Sequence, residues 1–203
     1  ENYFKMKHIA EKLTKYVVKA GAVSEEYYAI YQYGFQIGLE MLCCFIACLS
    51  IGVYLQMIPE FIVYTGTFIL LRTYAGGIHL NSFASCFVCS VMVQTFAFLI
   101  NRMYKLPLMG AWVVIVVSNL FIWKFAPVEN INRELDSEEK IHCKKRTMKI
   151  IIGILIGAVF FTFRGKEEMV SIIALTVFIV LISQWMGIWK YKIEKNKNHR
   201  AYD

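Results

Sequence analysis

The stretch FIVYTGTFILLRTYAGGIHLNSFASCFVCSVMVQTFAFLI, residues 61–100, passes from one apolar segment through a short polar turn into another. Its apolar flanks lack the polar–apolar alternation of a membrane strand, so they predict two membrane helices joined by a turn. The rest of the chain has the same character. Of its 203 residues 58% are hydrophobic, three are proline, and the mean hydropathy is +0.49. That is too apolar for a soluble domain of this size. A span takes about 20 apolar residues, and somewhat fewer where the bilayer thins. Six segments qualify, near 35–55, 57–71, 83–101, 107–125, 149–163 and 169–189, the second and fifth being short. The expected fold is therefore all-α, a polytopic integral membrane helical bundle forming a single domain over 1–203. Residues 1–34 are its cytoplasmic or interfacial helices, 35–189 the bundle and 190–203 a cytoplasmic tail.

Charge orients the bundle. With the N-terminus inside, the inner segments 1–34, 72–82, 124–149 and 190–203 carry five, one, seven and five Lys or Arg. The outer loops carry two each, Arg102 with Lys105 and Arg164 with Lys166. Eighteen inside against four outside predicts both termini and the turn of residues 72–82 in the cytoplasm. The net charge of +7 then reads as topology and affinity for anionic membrane lipid. Nucleic acid is excluded as a partner, because the basic residues flank spans and build no separate domain. No signal-peptide pattern precedes the first span. The six cysteines form no disulfide framework: Cys43, Cys44 and Cys48 lie inside the first span, Cys86 and Cys89 at the inner end of the third, and Cys143 in a cytoplasmic loop.

Ahead of the first span, KHIAEKLTKYVVKA (7–20) sets Ile9, Leu13, Tyr16, Val17 and Ala20 on one helical face and its lysines toward the other. This predicts an amphipathic helix on the inner leaflet. Ser24, followed by two glutamates, reads as the cap of a second helix leading into the first span. The largest polar insert, 124–149, is read as a loop with an acidic first half and a basic second half. Gly34-xxx-Gly38 and Gly153-xxx-Gly157 permit close helix approach, either within the chain or in a homodimer.

The turn carries the chemistry. Gly76-Gly77 breaks the helix and gives the backbone freedom closed to other residues, and Asn81 or Ser82 can cap the next helix. In one continuous helix His79 and Cys86 would stand roughly 10 Å apart, too far for proton transfer. A break lets the His79 segment fold back on the first turns of the third helix. Cys86 would sit near a helix N-terminus, where the dipole favours negative charge, and a neighbouring imidazole could take its proton. That is the Cys–His pair of nucleophilic acyl transfer, and it requires no metal or organic cofactor. Other readings of the same residues stay open. Arg72 can snorkel to the interface or bind lipid phosphate. Cys86 can be a packed small hydrophobe, and Cys86-x-x-Cys89 a redox dithiol or, with His79, His142 and Cys143, a metal site. Gln36, at the depth expected for Cys86, can donate to an oxyanion or simply tie helices together, and Glu40 one turn on can pair with Arg72 or orient His79.

LLRTYAGGIHLNSFASC resembles the core motif of the accessory gene regulator B family of membrane cysteine peptidases, in its Arg, its Gly before His, and its His-x6-Cys spacing. YGFQIG (33–38) is similar to the family's Gly-x-Gln near the first span, and FAPVEN (125–130) to its Ala-Pro element after the fourth. The resemblance implies an endopeptidase that removes the acidic C-terminal tail of a small quorum-sensing precursor and holds the remainder as a thioester. An internal Cys or Ser of the peptide then closes a thiolactone or lactone ring. It also implies His79 and Cys86 as the catalytic pair, with Gln36, Arg72 and Gly77 as supporting positions. The family's basic residues follow soon after Ala-Pro. Here Val128, Glu129 and Asn130 follow instead, and the basic run comes later, leaving Lys144, Lys145 and Arg146 as candidates to meet an acidic tail. A peptide exporter without proteolysis and a membrane thiol relay are the rival functions.

Overall fold

The computed structural model describes residues 2–78, 82–129 and 136–200, with side chains for those lying within 8–195. Its elements are α1 (Asn2–Lys19), a 3-10 turn (Glu25–Tyr27), α2 (Tyr28–Tyr54), α3 (Ile58–Ala75), α4 (Phe83–Met103), α5 (Leu108–Phe125), α6 (Ser137–Phe163) and α7 (Glu167–Arg200). There is no strand among the described residues, and the chain is a polytopic helical membrane protein. Among the described residues five helical stretches are long and apolar enough to cross a bilayer: Glu25–Tyr54, Phe83–Met103, Leu108–Phe125, Ser137–Phe163 and Glu167–Lys195. The remaining expected span is α3. Its 18 residues rise only about 27 Å and include Glu60 and Arg72, which lower its apolarity.

Two compact units make up the chain, Glu1–Leu55 with Leu80–Thr95, and Gln56–His79 with Phe96–Asp203. In the first, α1 packs on α2 through buried Ala10 and Thr14, whose hydroxyl donates back to the Ala10 carbonyl (2.8 Å), while Gln32 Nε2 donates to Glu11 (3.3 Å). The apolar residues Ile9 and Tyr16 are 47% and 73% exposed, so the described residues of this unit leave the face expected to meet lipid uncovered. Ser24 stands where a cap is expected, but its side chain makes no capping bond. The first half of α4 is tied to α2 by Gln94 Nε2, donating to the Cys48 carbonyl at 2.9 Å.

The second unit is organised around α7. More than half of its span, 56%, is buried, against 28% for α5 and 22% for α6, so it is the interior helix of this unit. Val170, Ile173, Ala174, Val177 and Val180 of α7 pack with Leu71 and Ala75 of α3, Ala111, Ile115 and Ile122 of α5, and Ile151, Ile154 and Ala158 of α6. Alanines at these contacts allow close helix approach, which matters where lipid tails are as apolar as the side chains. The last turn of α4 and the turn after it are fastened to the start of α7: Asn101 Nδ2 donates to the Glu168 carbonyl (3.3 Å) and the Leu106 N–H to Ser171 Oγ (3.2 Å).

The 124–149 insert is not all loop. Helix α6 begins at Ser137, twelve residues before the span expected there, because Asp136 and Glu139 form a capping box. The basic run therefore lies on a helix. Among the described residues of its own unit neither glycine pair is closely approached, since a Cβ on Gly34, Gly38, Gly153 or Gly157 would meet nothing within 4 Å.

Candidate active site

Helix α3 stops at Ala75 because Gly76 takes φ 79°, ψ −166°, a region essentially closed to residues with a side chain. Gly77 follows at φ 151°. Helix α4 starts at Phe83, so the two helices are separate elements as the Gly-Gly pair predicts. Residues 75–78 are held on several sides. The Ala75 carbonyl accepts from the Val128 N–H and from Gln184 Nε2, both at 3.0 Å. The Ile78 N–H donates to the Ser183 carbonyl of α7 (2.9 Å), and Arg72 Nη2 donates to the Ile78 carbonyl. Arg72 thus turns inward onto its own loop, and its role as a snorkelling residue is replaced by that of a backbone clamp.

The fit leaves no room for side chains at the glycines. A Cβ on Gly76 would stand 2.7 Å from the Val128 carbonyl oxygen. One on Gly77 would overlap the Arg72 guanidinium and meet Ser183 Oγ at 2.8 Å. From the other side, a Cβ on Gly187 would come within 2.8 Å of the Gly77 carbonyl carbon. His79 itself, with Asn81, lies outside the described residues.

In the first unit, Ser82 caps α4: its Oγ accepts from the Ser85 N–H (3.2 Å) and its carbonyl from the Cys86 N–H (3.1 Å). Cys86 is therefore in the opening turn of the helix, where the sequence puts it, and it is solvent- or lipid-accessible, as is Cys89 one turn on. All six cysteines are thiols. Gln36 is half-buried on α2 and donates to Glu40 (3.2 Å), so these two pair with each other along one helix face.

Lys144, Lys145 and Arg146 occupy successive positions on α6, which spreads them about 100° apart around its axis. Lys144 lies over the Trp123 ring (5.3 Å) and Lys140 pairs with Glu129 (2.7 Å). His142 and Cys143 are neighbours on the same helix, and no group of three metal-ligating side chains occurs among the described residues.

The structure thus brings Arg72, Gly76 and Gly77 together with Ser183, Gln184 and Gly187. Sequence reasoning missed the three α7 residues. Their signal was present: SQ at 183–184 inside an apolar helix is a polar pair at membrane depth, where such residues are usually functional.

A polytopic helical membrane protein with a glycine loop clamped by arginine, next in sequence to a histidine and a capped cysteine helix, defines a narrow class. The family model for Accessory gene regulator B matches residues 10–184, and the chain belongs to that family. A protein of Clostridium perfringens strain 13 named as AgrB-like protein 2 is 29% identical over 133 residues, 62% of this chain and 61% of its own length. An AgrB-like protein of Halalkalibacterium halodurans is 27% identical over 154 residues, 74% of this chain and 75% of its own. The chain spans about three fifths of the Clostridium relatives it matches. No solved structure matches it.

Proposed function

We propose that this protein is a membrane cysteine endopeptidase and peptide cyclase acting on a small quorum-sensing precursor. The observation that carries the reading is the family match over residues 10–184, a range that includes Gln36, Arg72, Gly77, His79 and Cys86. In this reading His79 takes the Cys86 proton and the thiolate attacks the amide carbon before the acidic tail. The tetrahedral oxyanion needs fixed donors, for which Gln36 is the candidate. Collapse breaks the C–N bond, the imidazolium protonates the departing amine of the tail, and a thioester remains on Cys86. The internal Cys or Ser of the peptide, losing its proton to His79, then displaces Cys86 and closes the ring. The site lies on the cytoplasmic side, and the basic run Lys144, Lys145 and Arg146 of α6 meets the tail.

A precursor whose internal nucleophile is replaced by Ala tests this, since it can be attacked but cannot cyclise. Mass spectrometry is expected to find the tail-less peptide on Cys86, released by hydroxylamine. Cys86→Ala abolishes the adduct, Cys89→Ala keeps most of it, and His79→Ala slows its formation by about 10²–10⁴-fold, the usual worth of a general base. Cleavage without any adduct on Cys86 refutes covalent catalysis there. Equal loss with Cys89→Ala supports a thiol relay, and a precursor that emerges intact supports an exporter.

A further inference from the structure

We infer that Gln184 and Gly187 of α7 are positioning residues for His79, an inference that rests on His79 acting as the base proposed above. The peptide leading into His79 is fixed to α7 chiefly through backbone. The Ile78 N–H reaches the Ser183 carbonyl at 2.9 Å. Ser183 lies within α7, where a helical carbonyl already points at the N–H four residues on, here that of Gly187. An outside N–H can share that carbonyl only where the residue four on leaves the approach open. Gly187 does so and is buried. A Cβ there would stand 2.8 Å from the Gly77 carbonyl carbon, 3.0 Å from the Ile78 nitrogen and 3.1 Å from the Gly77 oxygen. All three are backbone atoms, so no flexible side chain can give way. Restoring contact at 3.4 Å means shifting the loop by about 0.6 Å at the Gly77 carbon.

Gln184 supplies the second point. It is fully buried, and its Nε2 holds the Ala75 carbonyl at 3.0 Å, immediately before the glycine pair. Together the two residues hold the described part of the loop at two points, Ala75 and Ile78, three residues apart. Gly153 provides the contrast, lying mid-span in α6 with nothing within 4 Å of an added Cβ.

Gly187→Ala, Gln184→Leu, Gly153→Ala and His79→Ala of the full chain, purified in nanodiscs, are assayed for cleavage of the precursor. Gly187→Ala is expected to lower kcat by about 10²-fold, the scale of a sub-ångström to 1 Å misplacement, with KM within about twofold. Gln184→Leu removes one hydrogen bond without adding bulk at the loop, and is expected to lower kcat about threefold to tenfold at unchanged KM. Gly153→Ala leaves both constants unchanged. A merely structural role would move the unfolding midpoint and KM while sparing kcat of the folded fraction. An unchanged kcat in folded Gly187→Ala overturns the inference. Should that variant not fold, an unchanged kcat in Gln184→Leu does the same. Full activity in His79→Ala overturns the proposed base and this inference with it, whereas loss in His79→Ala with none at 184 and 187 overturns the positioning role alone.

Discussion

Replacing Gly76 by alanine adds one methyl group, and the structure places a cost on it from two directions. The backbone at φ 79°, ψ −166° is strained for any L side chain by about 1–3 kcal/mol. The new Cβ would also lie 2.7 Å from the Val128 oxygen and 3.0 Å from the Val128 nitrogen. That nitrogen donates to the Ala75 carbonyl at 3.0 Å, so relieving the clash by moving Val128 puts this bond at risk, worth about 0.5–1.5 kcal/mol. The expected loss is about 2–4 kcal/mol, a large part of the roughly 5–15 kcal/mol that holds a typical domain together. Unfolding by sodium dodecyl sulfate in mixed micelles, followed by circular dichroism, measures it. Gly66→Ala is the matched control: it sits inside the same α3, an added Cβ meets nothing within 4 Å, and helix propensity gains about 0.5–1 kcal/mol. If Gly76→Ala unfolds at the same detergent fraction as Gly66→Ala, the argument from backbone region and close approach is wrong.

Two further outcomes follow from charge. Lys166→Cys and Ser137→Cys, each the sole thiol of its chain, are expected to label oppositely with an impermeant maleimide on intact cells, 166 reacting and 137 protected; labelling of 137 from outside inverts the proposed orientation. Reversing Lys144, Lys145 and Arg146 to Glu is expected to raise KM for the precursor about tenfold or more while kcat changes less than about twofold, and the effect should shrink as salt rises. An unchanged KM assigns these residues to lipid or topology.

Helix count and helix ends were legible to different degrees in the sequence, for physical reasons. Long apolar runs need no partner to be recognised, which is why α4 and α5 stand close to where hydropathy puts them, whereas α2 and α7 extend beyond the expected spans, α7 as far as Arg200. Polarity alone hides the start of α6 within 124–149, whereas Asp136-x-x-Glu139 is a local capping signal independent of polarity. The break at Gly76-Gly77 and the cap at Ser82 were readable because both are set by one or two residues. What Arg72 does was not, since its target is the Ile78 carbonyl, and nothing in the sequence says that a chain six residues on has curled back to meet it. The same holds more strongly for Gln184 and Gly187, whose roles depend on which helix α7 packs against.

The bond from Gln184 to the Ala75 carbonyl joins residues 109 positions apart. A ribosome adding about 5–20 residues each second reaches Gln184 roughly 5–20 s after it has made the glycine pair. Throughout that interval α3 and α4 can be in the membrane while the loop between them has no α7 to rest on. A nascent chain is therefore a membrane protein well before it has a settled glycine loop. Its last helix acts as the closing step of manufacture, and a chain stalled before α7 enters the bilayer carries the histidine and the cysteine without the support that orders the loop.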